Sequence, residues 1–434
     1  MDHIPSHARE KELGIEVFFT DTPGVGGKLR KDPEDFVVEE ISDFPEKDEN
    51  GRYTIAKVTS INWEMNRLVR QLAKSLRISR NKIGFAGTKD KRAVTTQLMS
   101  FEAPIENVTS LYIHQVAITD AYRARKPITI GDLIGNFFKI RIRECLYHDE
   151  ELAKILKETL TILERSGGFP NFFGIQRFGA IRPITHHVGK YIIKRDFERA
   201  VMTYVANPTD YESEEVREAR QNLEETRDFE TALRVFPKKL LFERTVISHL
   251  VKHPEDYAGA IRSLPGNLQM MFVHAYQSYL FNKILSERIR REFPLNRPTV
   301  GDIILPADAK GLPDHDHYVL VTEENIDLAE KRVAEEKAFV SGVLFGSESE
   351  FAEGEMGAIE REIIENEGIT KKDFVVPELP QCSSRGSRRE LLARMKNLTY
   401  FVENDEVLIS FSLDRGCYAT ALLREIMKAD VISY

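Results

Sequence analysis

The sequence has few of the features that mark secreted, zinc-binding or membrane proteins. Its three cysteines, Cys145, Cys382 and Cys417, lie far apart and form no C-x-x-C pair. This scattered, odd-numbered set argues against a disulfide framework or a zinc ribbon and favours a reducing cytoplasm. No apolar run approaches the roughly 18 residues that a transmembrane helix needs. The first residues also lack the apolar core of a secretory signal. We therefore expect a cytoplasmic protein without a membrane span.

The net charge of −8 is unevenly distributed along the 434 residues. Residues 180–384 carry a net charge of −10, so the remaining residues together carry +2. A chain with this polarity can bind a polyanion on one face only. The cations are concentrated in residues 67–92, 123–143 and 385–396, and the acids in residues 212–230 and 348–367.

The most informative stretch runs from residue 84 to residue 97. It contains Asp90, which is the only acidic residue between residues 66 and 92, whereas the same range contains nine Lys and Arg residues. Gly84 and Gly87 are expected to adopt backbone angles that a side chain would forbid and to permit close approach to a ligand.

The cations next to Asp90 in the sequence, Lys89, Lys91 and Arg92, should hold its carboxylate ionised. Such a carboxylate can act as a nucleophile, as a base or as the anchor of a salt bridge. A cation-rich surface beside a lone acid suits a polyanionic substrate, although a solvated turn would explain the same residues.

A second unusual stretch, residues 171–179, contains three phenylalanines, two glycines, Asn171 and Arg177. Phenylalanines near an arginine often close a core, and composition alone favours that interpretation. The functional alternative is a platform on which a nucleobase stacks.

Two other site patterns fail on inspection. A phosphate loop ending at Gly27-Lys28 would need glycine where Thr22 stands and Ser or Thr where Leu29 stands. The histidine groupings at 186–187, 249–253 and 314–317 do not have the spacing of a known mononuclear metal site. We therefore expect neither a nucleotide cofactor nor a metal.

Hydrophobic periodicity indicates mixed α/β structure at both ends of the chain and helices in the middle. This pattern suggests one domain interrupted by a long insertion. Asn62 is expected to cap a helix that ends near Leu76, with the apolar residues on one face and the cations largely on others. The other predicted helices are 150–165, 186–205 and 268–291, and the predicted strands are 36–41, 94–101, 111–118, 136–143 and 406–413.

Residues 85–95, Phe-Ala-Gly-Thr-Lys-Asp-Lys-Arg-Ala-Val-Thr, resemble the signature of TruD-type tRNA pseudouridine synthases. Four further segments resemble this family in the same order, so the resemblance spans nearly the whole chain. The C-terminal segment also resembles a motif of other pseudouridine synthase families. The four segments are residues 33–40, residues 171–179, residues 278–282, and residues 416–420 with 424–425.

The resemblance implies an α+β fold, in which a pseudouridine synthase catalytic domain with a mixed, mostly antiparallel sheet is interrupted by a large, mainly helical insertion. The implied domains are residues 1–179 with 385–434, and the insertion at 180–384. The implied activity is an isomerase, an intramolecular transferase acting on a uridine of tRNA, typically uridine 13. The resemblance implies no cofactor, no essential metal and no protein partner.

Carried over position by position, the resemblance makes Asp90 the catalytic aspartate and Phe173 the ring that stacks on the target base, with Asn171 beside it. The family's basic residue near the N-terminus is usually Lys, whereas Arg30 stands here. The cationic partner of Asp90 is therefore left open between Arg30, Arg424 and a neighbour. Lys89 is a further candidate for substrate binding, and Arg70, Lys74 and Arg77 are candidates for RNA binding.

Two other functions remain open at this stage. The first is an RNA-binding or RNA-chaperone module that retains the fold without turnover; the presence of both Asp90 and Phe173 argues against it. The second is an RNA hydrolase or nuclease, which is weakened because no second carboxylate or histidine lies near Asp90 in the sequence.

Overall fold

The computed structural model describes residues 3–89 and 91–430. The helices are α1 Ala8–Lys11, α2 Met65–Leu76, α3 Ile105–Thr109, α4 Asp149–Arg165, α5 Thr185–Ile193, α6 Phe197–Val205, α7 Glu214–Thr226, α8 Phe229–Val235, α9 Leu241–Lys252, α10 Tyr257–Arg262, α11 Gly266–Arg290, α12 Ile326–Ala334, α13 Gly354–Asn366 and α14 Ala419–Met427. The strands are β1 Gly26–Lys28, β2 Phe36–Ser42, β3 Tyr53–Ile61, β4 Ile83–Phe85, β5 Val94–Phe101, β6 Val116–Ala124, β7 Leu133–Cys145, β8 Phe169–Pro170, β9 Ile303–Pro306, β10 Val319–Leu320, β11 Ala338–Leu344, β12 Ser387–Glu390, β13 Leu392–Ala393, β14 Lys396–Glu403 and β15 Glu406–Asp414.

The chain forms two compact units, each of which draws on two separate segments. The sheet unit comprises residues 20–169 together with the chain from residue 393 onward. The helical unit comprises the chain up to residue 19 together with residues 170–392.

The sheet unit is built on nine strands in the order β14-β15-β7-β2-β5-β3-β6, with β1 added to β7 and β4 added to β5. Strands β2 and β5 run parallel, with Val37 opposite Val94, whereas the other pairings given for this sheet are antiparallel. The expected α+β fold with a mixed, mostly antiparallel sheet is therefore confirmed.

One face of this sheet is closed by the amphipathic helix α2. Its apolar side chains, among them Leu68, Val69 and Leu72, pack against Val58 and Met99 of the sheet. Burying this stripe leaves the polar side of α2 exposed, as the 3.6-residue period requires.

The helical unit is organised around α11, which spans 25 residues. Buried side chains lie on all sides of this helix, which is typical of a helix enclosed by its neighbours. The unit also contains a four-stranded sheet in the order β10-β9-β11-β12. The sequence does not indicate this second sheet, because β9, β10 and β12 are only two to four residues long.

Several local predictions need correction. Helix α2 is capped by Glu64, whose carboxylate accepts hydrogen bonds from the backbone N–H groups of Asn66 and Arg67 at 2.9 Å, so Asn62 is not the cap. The helix predicted at 186–205 is two helices, because Arg195 adopts a left-handed φ of 57° between them. The strand predicted at 111–118 begins only at Val116.

Candidate active-site residues

Asp90 lies outside the described residues, so the site is defined by the segments on either side of it. Residues 86–93 connect β4 to β5, which pair antiparallel with Phe85 opposite Met99. Neither Gly84 nor Gly87 has a positive φ, so the expectation of forbidden backbone angles is wrong. Gly84 is required for a different reason: a Cβ there would lie 2.1 Å from the carbonyl oxygen of Ile128.

Lys89 forms a buried ion pair. Its ammonium lies 2.7 Å from Oε2 of Glu40 on β2, and the two side chains are 6% and 1% exposed. The other carboxylate oxygen of Glu40 accepts a hydrogen bond from the Ser42 hydroxyl at 2.5 Å. This ion pair ties the residue that precedes Asp90 to the central strand β2.

Arg30 lies close to the start of the same strand. Its guanidinium carbon is 4.0 Å from the centroid of the Phe36 ring, which is a cation–π distance. The backbone carbonyl of Arg30 accepts a hydrogen bond from Nη2 of Arg92 at 3.2 Å. The described residues on both sides of position 90 are thus attached to the N-terminal half of the sheet unit, Lys89 through Glu40 and Arg92 through Arg30.

Arg424 is buried on α14 and donates a hydrogen bond of 2.5 Å to Oε1 of Glu425. The Oε2 atom of Glu425 accepts from the backbone N–H and the hydroxyl of Thr20, at 3.0 and 3.2 Å. The Lys428 ammonium donates to the Thr20 hydroxyl at 2.6 Å, and burial lowers its pKa to about 8. The end of α14 therefore contains a buried Arg–Glu pair next to the half-buried cation of Lys428.

Asn171 is fully buried in the helical unit. Its side-chain amide donates to Oε1 of Glu390 at 2.8 Å and to the Glu390 carbonyl at 3.2 Å. Its side-chain oxygen accepts a hydrogen bond of 2.6 Å from Nη2 of Arg389. Because one partner is a carboxylate and the other a guanidinium, the orientation of the amide is determined by chemistry.

Phe173 is 7% exposed, and both its backbone and its ring are held in place. The backbone N–H donates to Oδ1 of Asn282 at 2.9 Å, and the carbonyl accepts from Nδ2 of the same residue at 3.1 Å. The ring meets Phe281 edge to face at 5.6 Å between centroids. The guanidinium carbon of Arg389 lies 4.1 Å from the Phe173 centroid.

The candidate RNA-binding cations Arg70, Lys74 and Arg77 lie along the solvent side of α2 and at its C-cap. Residues four positions apart project from the same side of a helix, so Arg70 and Lys74 lie in one row, and Arg77 follows them at the left-handed C-cap. We call these three residues the cationic stripe of α2. All three are exposed, and within the described part of the chain none is in an ion pair. They therefore present unneutralised positive charge to solvent.

The basic cluster at Arg385, Arg388 and Arg389 does not form a surface patch. Strand β12 buries Arg388 and Arg389, which are 5% and 8% exposed. Arg388 pairs with the fully buried carboxylate of Glu360 at 2.7 Å. Of these three arginines, Arg385 alone is exposed.

Sequence reasoning missed the roles of Glu40, Asn282 and Glu390. Glu40 carried a readable signal, because residues 36, 38 and 40 share one face of a strand and the first two are apolar. An acid at the third position therefore predicts a buried charge that needs a partner. Asn282 lies within a segment interpreted mainly as core, and nothing in the sequence links Glu390 to Asn171.

In the ranges 3–89 and 91–430, no three His, Cys, Asp or Glu side chains are grouped closely enough to hold a metal ion. Over the same ranges, no helix is both long enough and apolar enough to cross a membrane.

Comparisons with known proteins agree with this architecture. The family model described as tRNA pseudouridine synthase D (TruD) matches residues 12–426. A relative from Methanococcoides burtonii, named "Probable tRNA pseudouridine synthase D", is 44% identical and covers 99% of both chains. One from Halobacterium salinarum with the same name is 36% identical over 98% of both chains.

A crystal structure from Methanosarcina mazei, described under the same enzyme name, superposes on the whole chain with a TM-score of 0.87 at 39% identity and 100% coverage of both chains. The fold thus places the chain among proteins built like pseudouridine synthases. Within that class, the chain belongs to the tRNA pseudouridine synthase D (TruD) family.

Proposed function

We propose that this chain is an isomerase that converts a uridine of tRNA, uridine 13 in the typical family pattern, into pseudouridine. One observation carries the proposal: the family match runs from residue 12 to residue 426. It therefore includes Asp90, Phe173 and Arg424, the residues on which the chemistry depends. The names of the relatives state the same activity for those proteins.

The reaction breaks the bond between N1 of uracil and C1′ of the ribose, rotates the base and joins C5 to C1′. The hydrogen that leaves C5 balances the hydrogen gained at N1, so no oxidant, reductant or water is consumed. The Asp90 carboxylate either attacks the sugar or removes a proton from it. Both routes require the carboxylate to be ionised.

Phe173 supplies the surface on which the base stacks after it has left the RNA. Removing a base from its stack costs a few kcal/mol, and an aromatic platform returns roughly 1–3 kcal/mol. Arg30 or Arg424 serves as the cationic partner of Asp90. Lys89, which is buried in its ion pair with Glu40, contributes to substrate binding by holding the chain next to Asp90. Asn171 lies beside Phe173 in the same substrate-binding pocket.

The cationic stripe of α2, formed by Arg70, Lys74 and Arg77, binds tRNA phosphates. Its exposed charge and the lack of ion pairs among the described residues support this assignment. Phosphate contacts of this kind supply affinity without reading sequence.

Functionally, residues 1–179 with 385–434 form the catalytic part and residues 180–384 the insertion. These boundaries follow the motifs and need not coincide with the compact units. The acidic insertion, with its net charge of −10, acts as a wall that limits how tRNA approaches.

The test is incubation of the purified protein with unmodified tRNA, followed by carbodiimide-dependent primer extension. We expect a single stop that reveals pseudouridine at position 13, and no stop in a tRNA carrying cytidine there. Tight tRNA binding without any stop would instead support the RNA-binding module. Shortened RNA would support a nuclease.

A further inference from the structure

Phe173 can act as a stacking platform only if the plane of its ring is fixed. Two hydrogen bonds with the Asn282 side chain, one accepted and one donated by it, fix the backbone of residue 173, and Phe281 contacts the ring edge to face. Neither Asn282 nor Phe281 places a charged group against a face of the Phe173 ring. Two guanidinium groups lie over the ring: the carbon of Arg389 is 4.1 Å from the ring centroid, and that of Arg177 is farther away, at 5.7 Å.

Arg389 is itself held in a defined orientation. Its Nε donates to the Asn171 carbonyl at 3.2 Å and its Nη2 donates to the Asn171 side-chain oxygen at 2.6 Å. A planar guanidinium bound at two points cannot rotate as a lysine ammonium would. Asn171 is fixed in turn by its amide hydrogen bonds to Glu390. A continuous set of contacts therefore runs from Glu390 through Asn171 and Arg389 to Phe173.

We propose that Arg389 is a positioning residue that holds one face of Phe173, and that Asn171 acts through Arg389. This inference rests on the proposed function. In this arrangement the target base stacks on the ring face opposite the guanidinium. The side-chain groups of Asn171 are engaged within the protein, so Asn171 supports the platform without a contact between its amide and the base.

The same arrangement gives the charge of Arg389 a role. As the bond from N1 to C1′ breaks, electron density moves onto the departing uracil. A buried cation behind the platform lowers the energy of that state more than the energy of intact uridine, because the interaction is electrostatic and poorly screened in the interior. Loss of the guanidinium should therefore slow the chemical step more than it weakens tRNA binding.

The experiment is a double-mutant cycle between Arg389→Met and Phe173→Leu. Methionine retains length without charge, and leucine retains bulk without an aromatic face. Single-turnover conversion at saturating tRNA, tRNA affinity and melting temperature are measured on each preparation. Arg385→Met is the matched control, because Arg385 is 82% exposed and pairs only loosely with Glu348, at 3.5 Å.

We expect Arg389→Met to slow single-turnover conversion about 10- to 100-fold, as misplacement by about 1 Å can, while tRNA affinity changes less than about threefold. In the Phe173→Leu background the same change should slow conversion less than about threefold. The control should match wild type. Should Arg389→Met not fold, Arg389→Lys, which retains the charge but loses the planar fork, replaces it in the same cycle.

Equal slowing in both backgrounds would overturn the proposal, since Arg389 would then act independently of Phe173. A folded Arg389→Met protein with the wild-type rate would overturn it as well. If wild type produces no pseudouridine, the proposed function itself fails, and that result is recognised before any variant is compared.

Discussion

The Lys89 ammonium and the Glu40 carboxylate are 2.7 Å apart and almost completely excluded from solvent. A buried ion pair contributes little net stability compared with an apolar pair, but loss of one partner leaves an uncompensated charge and typically costs 3–5 kcal/mol. The pair also fixes the side chain of the residue that directly precedes the proposed catalytic aspartate.

We therefore expect Lys89→Met to lower the free energy of unfolding by about 3–5 kcal/mol. The double variant Lys89→Met/Glu40→Gln should be more stable than the sum of the single effects, because no buried charge is left alone. Chemical denaturation of the four proteins measures this coupling. Additive losses would show that the two side chains do not depend on each other.

Asp90→Asn tests the proposed chemistry. The substitution retains size and hydrogen bonding but removes the charge and the reactive lone pair, so conversion of tRNA should be lost while tRNA affinity holds or rises slightly. Single-turnover conversion, affinity and melting temperature should be measured on one preparation. A folded Asp90→Asn protein that retained a hundredth of the rate would contradict the assignment, because that loss is only about 2.7 kcal/mol of barrier.

Phe173→Ala should weaken capture of the flipped uridine by roughly 1–3 kcal/mol through lost stacking. Because the ring is 7% exposed, stability should also fall, and Phe-to-Ala changes in cores cost about 3–5 kcal/mol. Phe345→Ala, a buried ring of the same unit, is the matched control. Both are assayed well below their melting temperatures; equal effects on capture would identify Phe173 as core only.

Replacing Arg70, Lys74 and Arg77 together by glutamine should weaken tRNA binding and reduce the salt dependence by about one in slope for each lost phosphate contact. The control variant replaces three exposed cations that already pair with acids. It should change neither tRNA affinity nor the salt dependence of binding. Binding is measured over a range of salt concentrations. An unchanged slope in the first variant would make the stripe ordinary surface. The control cations are Arg297, Lys337 and Arg385.

Lys428 should impose a pH dependence on stability. Burial lowers its pKa to about 8, whereas an unfolded lysine has a pKa of about 10.4. Between these values the unfolded chain binds the proton that the folded chain has lost, so the free energy of unfolding rises with pH in this window. Below about pH 8 both states are protonated, and this contribution to stability is absent.

To measure the contribution of Lys428, the free energy of unfolding of wild type and of Lys428→Met is determined by urea denaturation at pH 7.5 and pH 9.5. Wild type should gain stability relative to the variant over that interval. If the free energy of unfolding changed by the same amount in both proteins between these pH values, the lowered pKa of Lys428 would be contradicted.

The sequence predicts local structure well where one physical signal dominates. Strand β5 is expected at 94–101 and lies at Val94–Phe101, and α4 is expected at 150–165 and lies at Asp149–Arg165. In both, hydrophobic periodicity and flanking turn residues agree. Where two signals compete the prediction fails, as at Arg195, where the apolar pattern continues but the backbone turns.

The candidate site could be predicted only as a set of residues and not as a set of contacts. Arg389 belongs to a basic cluster in the sequence, yet it lies buried against Asn171, which is 218 positions away. No periodicity or spacing links two residues so distant. The resemblance to a family identified Asn171 and Phe173, but it did not identify the guanidinium between them.

The sheet order has a consequence for synthesis of the chain. Strand β7 pairs with β15, so Ile142 lies opposite Val407, and about 260 residues separate the two. A ribosome adds about 5–20 residues per second, so one edge of β7 remains unpaired for on the order of 10–50 s before β15 is synthesised. During that time the helical unit emerges complete while the nine-stranded sheet does not. Until β15 has been translated, β7, the longest strand of the sheet, therefore has an unpaired edge with which a strand of another chain can pair.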